Sequence, residues 1–439
     1  MATAIYNKIF SPLRKIPGPS LNAVSWLPWY KYWFSGYMHR EVLGLHETYG
    51  PVVRIGPSEI SFIDKAAWKD IYSLKRCRQI ERDPTSFPSL TPNGSKFDLL
   101  TYSPTDHAKY RKILNPCFSE KATKEYEPTI HENVDKMIDK LSANVRKGDA
   151  RTNVTKWFQW LTFDMVTDVC WGESFECVSK RESHPCLALS MDLVSFSSFI
   201  VFVAWWKGLK DFLVKLSGVE GLFIDLVRSK CDNNLKSTSK KASIYSNLHE
   251  AGDPLNQAEL DGNLTAIVIA GSETTGFALT ATSYYLAKNP ECFRKAAAEV
   301  RSTFSSAEEI NDDTLKKLPY LKATIDEALR MTPAEPNGLA RKVVVDDGLD
   351  IAGQYIPKEV SYFQSNISLA GNLTNHFRLR FTFLSSPPIA LRLIFDFPTS
   401  TTPNAGWRTL SSRMTNWMLH SHSSWVSMCV LEEGWRGWR

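Results

Sequence analysis

The sequence predicts one large, mainly helical domain, and three observations carry that reading. A long apolar stretch runs from Asp253 to Lys288 with nothing stronger than glycine to interrupt it, and Pro319 and Pro333 bracket a second helix. No Gly/Ser-rich linker divides residues 60 to 360, so one domain is favoured over two. A chain of 439 residues with 43% hydrophobic content is long enough and apolar enough to bury a large core.

The first helix is predicted to start at Asp253, as N-cap, with Pro254 pre-set for the first helical position. Leu264, Ile267, Val268, Phe277 and Leu286 place apolar side chains almost all the way round it, which makes it a central helix. Into this apolar run is set Ala270-Gly271-Ser272-Glu273-Thr274-Thr275, an acid and two hydroxyls where burial is expected. Gly271 costs roughly 1 kcal/mol relative to alanine in mid-helix, which suits a site where something flat and large lies against the backbone. Two other readings compete: a buried glutamate satisfied by its threonines, or a glycine that lets a neighbouring helix come close.

The second helix carries Glu327-Ala328-Leu329-Arg330, whose acid and base three residues apart share a face and can pair. Leu318-Pro319-Tyr320-Leu321 leads in, and Thr332-Pro333-Ala334 followed by Arg341 leads out. A lone pair of this kind is usually a solvated surface feature.

Charge and cysteine usage exclude some functions. The net charge of +5 is spread without a Lys/Arg run, which argues against nucleic-acid binding. A weakly basic surface suits an acidic electron-donor protein as well as it suits plain solvation. Eight cysteines at irregular spacing, with no Cys-x-x-Cys, argue against a disulfide framework and structural zinc, and imply a reducing compartment.

Together the two helical motifs resemble those of the cytochrome P450 family, whose oxygen-binding central helix carries Ala/Gly-Gly-x-Asp/Glu-Thr-Thr and whose later helix carries Glu-x-x-Arg. Lys15-Ile16-Pro17-Gly18-Pro19 is similar to the family's proline-rich hinge, and Tyr49-Gly50-Pro51-Val52-Val53-Arg54-Ile55-Gly56-Pro57 to its first strand. The stretch from Ser103 to Lys112 resembles the helix that supplies cations to the haem propionates. The resemblance covers roughly residues 14 to 370 and is nearest to fungal enzymes of secondary metabolism.

The resemblance implies a mainly α fold with small β-sheets, cytochrome P450-like and incomplete at the C-terminus. It implies haem b, electrons from NADPH through NADPH-cytochrome P450 reductase, and a monomer that oxidises a small hydrophobic substrate. Glu273 and Thr274 would form the catalytic proton relay, and Ala270 and Gly271 would let the haem plane approach. His107, Arg111 and Arg341 would meet the propionates, with Lys112 as the second basic residue, and Glu327 and Arg330 would be structural. Family members of this type sit in the endoplasmic reticulum membrane, but Met1 to Arg14 is too short and polar to span a bilayer. The apolar run Leu193 to Trp206, about fourteen residues against the roughly 20 a span needs, occupies the substrate-access region by resemblance, or else is a core helix.

The family's haem-ligating loop, Phe-x-x-Gly-x-Arg/His-x-Cys-x-Gly, and the Pro-Glu-Arg-Phe/Trp segment before it are missing. Seven of the cysteines lie upstream of the expected place, and Cys429 has no glycine turn around it. Residues 1 to 376 therefore form the family-like body. Residues 377 to 439 form a tail rich in Ser, Trp and Arg with no sustained period. Reading the third base of each codon with the first two of the next allows Pro-Glu-Arg-Trp-Leu across Thr402 to Trp407. Across Met414 to Arg436 the same frame allows Pro-Phe-Ser-Leu-Gly-x-x-Val-Cys-Leu-Gly. Its Gly from Trp425/Val426 and its Val from Met428/Cys429 are forced by the genetic code. Both lost motifs thus fit one alternative frame, which points to a frameshift or retained intron.

Overall fold

The computed structural model describes residues 2–73, 76, 79–83, 104–148, 152–187, 225, 228–231, 241–252, 254–336, 338 and 340–364. In chain order the main helices are α1 (Leu27–Phe34), α2 (Met38–Tyr49), α3 (Lys65–Tyr72), α4 (Pro104–Leu114), α5 (Glu120–Arg146), α6 (Val154–Trp171), α7 (Gln257–Lys288), α8 (Pro290–Thr303) and α9 (Pro319–Met331). The strands are β1 (Val52–Gly56), β2 (Glu59–Phe62), β3 (Ile80–Arg82), β4 (Arg341–Val343), β5 (Leu349–Ile351), β6 (Gln354–Ile356) and β7 (Ser361–Gln364). Among the described residues the fold is mainly helical with two small sheets.

The predicted start of the central helix is corrected. It begins at Gln257, and its N-cap is Asn256, whose side chain accepts from the Glu259 amide while the Glu259 carboxylate accepts from the Asn256 amide. This reciprocal box satisfies two orphan amides at once, which the single Asp253-Pro254 signal cannot do. The end at Lys288 is as predicted, and most of the helix is buried. It is long and apolar enough to cross a bilayer, yet 83% of its apolar window is buried inside the protein, as befits a core helix.

α6 is the main partner of α7. It starts at an Asn153 cap, ends on Gly172 in the left-handed region, and is buried from Leu161 through Trp171 without a break. Close approach is made at Gly276, where an added Cβ would stand 3.0 Å from Thr162 Oγ1 and 3.6 Å from Gln159 Cα. Phe158, Phe163, Leu264, Ile267 and Val268 belong to the core that joins these helices to α5. α9 packs on α7 and α8, and Tyr285 and Thr332 hydroxyls 2.5 Å apart tie the first two.

The larger sheet has the order β1-β2-β7-β4-β3. β2 and β7 run parallel, and the other neighbours are antiparallel. Ile60, Phe62, Val343 and Tyr362 bury one core beneath it. β5 and β6 form a hairpin turned by Ala352 and Gly353, both at positive φ. The run Leu193–Trp206, the tail 377–439 and Cys429 lie outside the described residues.

Candidate functional site

Midway along α7 the burial pattern opens. Gly271 and Thr274, one turn apart, are half-buried, while Ala270, Ser272, Glu273, Thr275 and Gly276 around them are buried. The helix thus presents a small residue and a hydroxyl, side by side, on its accessible stripe. The Thr274 hydroxyl donates to the Ala270 carbonyl at 2.8 Å, which fixes its rotamer and leaves its oxygen able to accept.

Glu273 stands behind this step. Neither of its carboxyl oxygens has a hydrogen-bond partner of good geometry, and no threonine of the motif satisfies it. Burial pushes its carboxyl up to about 7, against the pull of the neighbouring Gln159 side chain. It therefore carries or releases a proton near neutral pH. Gly276, just beyond the motif, is where α6 comes close.

A second group gathers on α4 and the sheet. His107 and Arg111 lie four residues apart on one face of α4, and both are half-buried. Burial, and then the charges of Arg111, Arg82 and Arg341, push the His107 imidazole down to about 4, so it is neutral at physiological pH. Three guanidiniums within electrostatic reach of one imidazole make a strongly positive recess, suited to a ligand with more than one carboxylate. Lys112 is exposed instead. Arg82, at the end of β3, is the member that the sequence did not reveal. It pairs in register with Arg341 of β4, a relation between positions far apart in the chain.

On α9, Arg330 donates from Nε to Glu327 Oε2 at 2.7 Å and from Nη2 to Oε1 at 2.8 Å, a bidentate pair that is largely solvent-accessible. The pair holds the Glu327 carboxyl below its ordinary value, because Arg330 hydrogen-bonds its charged form.

A haem would fit these residues on two counts. The Gly271–Thr274 step leaves room beside a helix with an orphaned buried acid, and the cationic recess suits propionates. Four of the six described cysteines fit its thiolate bond less well. Burial pushes the thiols of Cys117 and Cys186 up to about 11 and that of Cys177 to about 12, and it raises Cys170 further, the reverse of what a ligating thiolate requires.

The body is mainly helical, buries one acid within α7 and gathers three arginines around His107 of α4. The chain belongs to the cytochrome P450 family, whose model matches residues 16–370. Over 383 residues it is 77% identical to cytochrome P450 monooxygenase sdnF of Sordaria araneosa, covering 84% of this chain and 74% of that protein. It is 32% identical to cytochrome P450 monooxygenase traB of Penicillium crustosum (81% and 72% covered) and 31% identical to trichothecene C-15 hydroxylase of Fusarium sporotrichioides (82% and 74%). These are fungal enzymes, and the family match ends at residue 370, short of the tail.

Proposed function

We propose that the gene specifies a haem-thiolate monooxygenase that hydroxylates or epoxidises a small hydrophobic metabolite in a fungal secondary-metabolite pathway. The observation that carries this reading is the half-buried Gly271–Thr274 step backed by the unpartnered Glu273 carboxyl. Haem b supplies, when bound through a thiolate, the activation of dioxygen, with electrons from NADPH by way of a reductase. Thr274 holds a hydrogen-bonded water or ligand at Oγ1, and Glu273, near-neutral in its titration, stores and passes the proton. Gly271, beside Ala270, keeps side-chain bulk away from the cofactor plane. His107, Arg111 and Arg341, with Arg82 beside them, hold the propionates, and Glu327 and Arg330 brace α9.

The endoplasmic reticulum membrane is the proposed location. The first 40 residues carry five Lys/Arg and no Asp or Glu, and Ile5, Tyr6, Ile9, Phe10, Leu21, Leu27 and Phe34 are all exposed there. Such a face suits an anionic lipid surface.

A second reading, an inactive remnant unable to hold haem, is favoured by one observation: the thiolate loop is absent from the sequence as it stands. The mature transcript across codons 360 to 439 distinguishes the two. A spliced or corrected reading that restores Pro-Glu-Arg-Trp and the cysteine loop makes the monooxygenase the product, with a shifted Soret band for the reduced carbon-monoxide complex. A transcript that reads as translated here leaves the remnant.

A further inference from the structure

Glu259 does more than cap α7. Its Oε2 accepts from the Asn256 amide at 2.9 Å, whereas its Oε1 takes two donors from α4, the Lys109 ammonium at 2.7 Å and the Tyr110 hydroxyl at 2.5 Å. The carboxylate is buried, and so is Tyr110, while the Lys109 ammonium also lies 5.0 Å from the Tyr110 ring centre. Burial alone would raise the Glu259 carboxyl, but the donors from Lys109, Tyr110 and Asn256 outweigh it and hold the group ionised.

Capping by itself needs only one oxygen of a Glu or Gln at this position. The other oxygen is committed to a helix about 150 residues earlier in the chain. On α4 the residues at 107, 110, 111 and 114 form one inward stripe, with Tyr110 and Leu114 buried and His107 and Arg111 half-buried. Fixing Tyr110 therefore fixes the rotation of the whole stripe about the α4 axis.

We propose that Glu259 is a positioning residue: by gathering Lys109 and Tyr110 onto the capped end of α7, it sets the rotation of α4 and so places His107 and Arg111 in the cationic recess. The proposal rests on reading that recess as the propionate site. It assigns no chemistry to Glu259 itself, which acts through α4.

The test uses the full chain, with its thiolate loop restored for the porphyrin measurement, and two readouts. The first is amide hydrogen exchange in peptides covering 104–114. Glu259→Ala should speed exchange there about tenfold or more, the loss of one charge-assisted tie. Glu259→Gln, whose single carbonyl oxygen can replace only one of the two carboxylate oxygens, should restore part of the protection by accepting from Tyr110, and Asn256→Ala should affect only the start of α7. The second readout is the affinity ratio for iron protoporphyrin over its dimethyl ester, which reports recognition of the carboxylates and not general stability. Glu259→Ala should collapse this ratio as Arg111→Ala does, while Asn256→Ala leaves it intact.

Normal exchange in 104–114 of Glu259→Ala, or a ratio lost in Arg111→Ala but kept in Glu259→Ala, overturns the positioning role. A wild-type ratio near one, with α4 still loosened by Glu259→Ala, overturns the propionate reading instead and leaves Glu259 a plain structural tie.

Discussion

Arg82 and Arg341 stand directly opposite each other across the β3–β4 ladder. Like charges at opposed positions of an antiparallel pair repel, and the sheet gains nothing from them by itself. Arg341 also lies over the Tyr72 ring at 5.1 Å, and both arginines act on the His107 imidazole. The proposed propionate site would use this arrangement as a receptor for negative charge.

Replacing either arginine with glutamine should therefore weaken the hold on a dicarboxylate porphyrin without weakening the fold. In the chain with its thiolate loop restored, Arg82→Gln and Arg341→Gln should each speed haem loss about tenfold, the scale of one charge-assisted contact. Unfolding free energy of the haem-free chain should change by less than about 1 kcal/mol. Haem transfer to a scavenger globin measures the first and urea titration the second. Unchanged haem retention in both variants would remove these residues from the site.

Glu273 and Glu59 should make the fold less stable as pH rises. Burial pushes Glu273 up to about 7, and burial followed by the nearby Asp83 pushes Glu59 up to about 8. Each folded value exceeds the unfolded value, so the native state binds the extra proton in between. Stability falls from the ordinary carboxylate range up to about 7 and about 8 respectively, then levels off. Glu273→Gln removes its share, about 3 kcal/mol at most by the size of that shift. Urea titrations at acid and mildly alkaline pH should show a clearly smaller decline in the variant, and an identical decline would mean that Glu273 is solvated.

Gly276 predicts a graded response to side-chain size. The Thr162 hydroxyl that an added Cβ would meet at 3.0 Å is itself fixed by donating to the Phe158 carbonyl at 2.8 Å. Gly276→Ala gains roughly 1 kcal/mol of helix propensity against this crowding and should come out close to neutral. Gly276→Val has no such room and should cost about 1 to 3 kcal/mol by forcing α6 and α7 apart. Thermal unfolding of the two variants side by side checks the gradation, and equal stability would show that the helices separate freely.

What could be read in the sequence was local. The body of α7, its end at Lys288, the α9 bounds and the Glu327–Arg330 pair all follow from periodicity, prolines and short spacing. The start of α7 was misplaced because Asp253-Pro254 is a good signal, and only the reciprocal bonds of Asn256 and Glu259 show the better one. Arg82 opposite Arg341, and Glu259 beneath Tyr110, depend on contacts between distant segments, which no spacing encodes. Of the readings open for Glu273, support by its own threonines is not seen: Thr274 donates to the Ala270 carbonyl of its own helix.

That last detail gives a prediction for Thr274. Because its hydroxyl bonds only within α7, Thr274→Ala should shift unfolding free energy by less than about 1 kcal/mol. Its effect should fall on chemistry instead. In the restored enzyme, removing the hydroxyl takes away the group proposed to hold a water beside Glu273, so reducing equivalents should drain to hydrogen peroxide rather than product. The ratio of peroxide formed to NADPH consumed measures this. A variant that kept full coupling would refute the role.

The amino-terminal face yields the last expectation. Five basic residues and no acid precede Glu41, and the exposed apolar side chains of Phe10 and Leu27 stand among them. Apolar burial in the headgroup region and attraction to anionic lipid should act together, at roughly 1 kcal/mol per basic residue that reaches the surface. Binding to vesicles containing phosphatidylserine should therefore exceed binding to neutral vesicles and should weaken as salt rises. Phe10→Ser with Leu27→Ser should reduce binding to both vesicle types, whereas Arg14→Gln with Lys15→Gln should reduce only the preference for anionic lipid. Co-sedimentation separates the two contributions, and equal partitioning of all three proteins would show that this face meets something other than a bilayer.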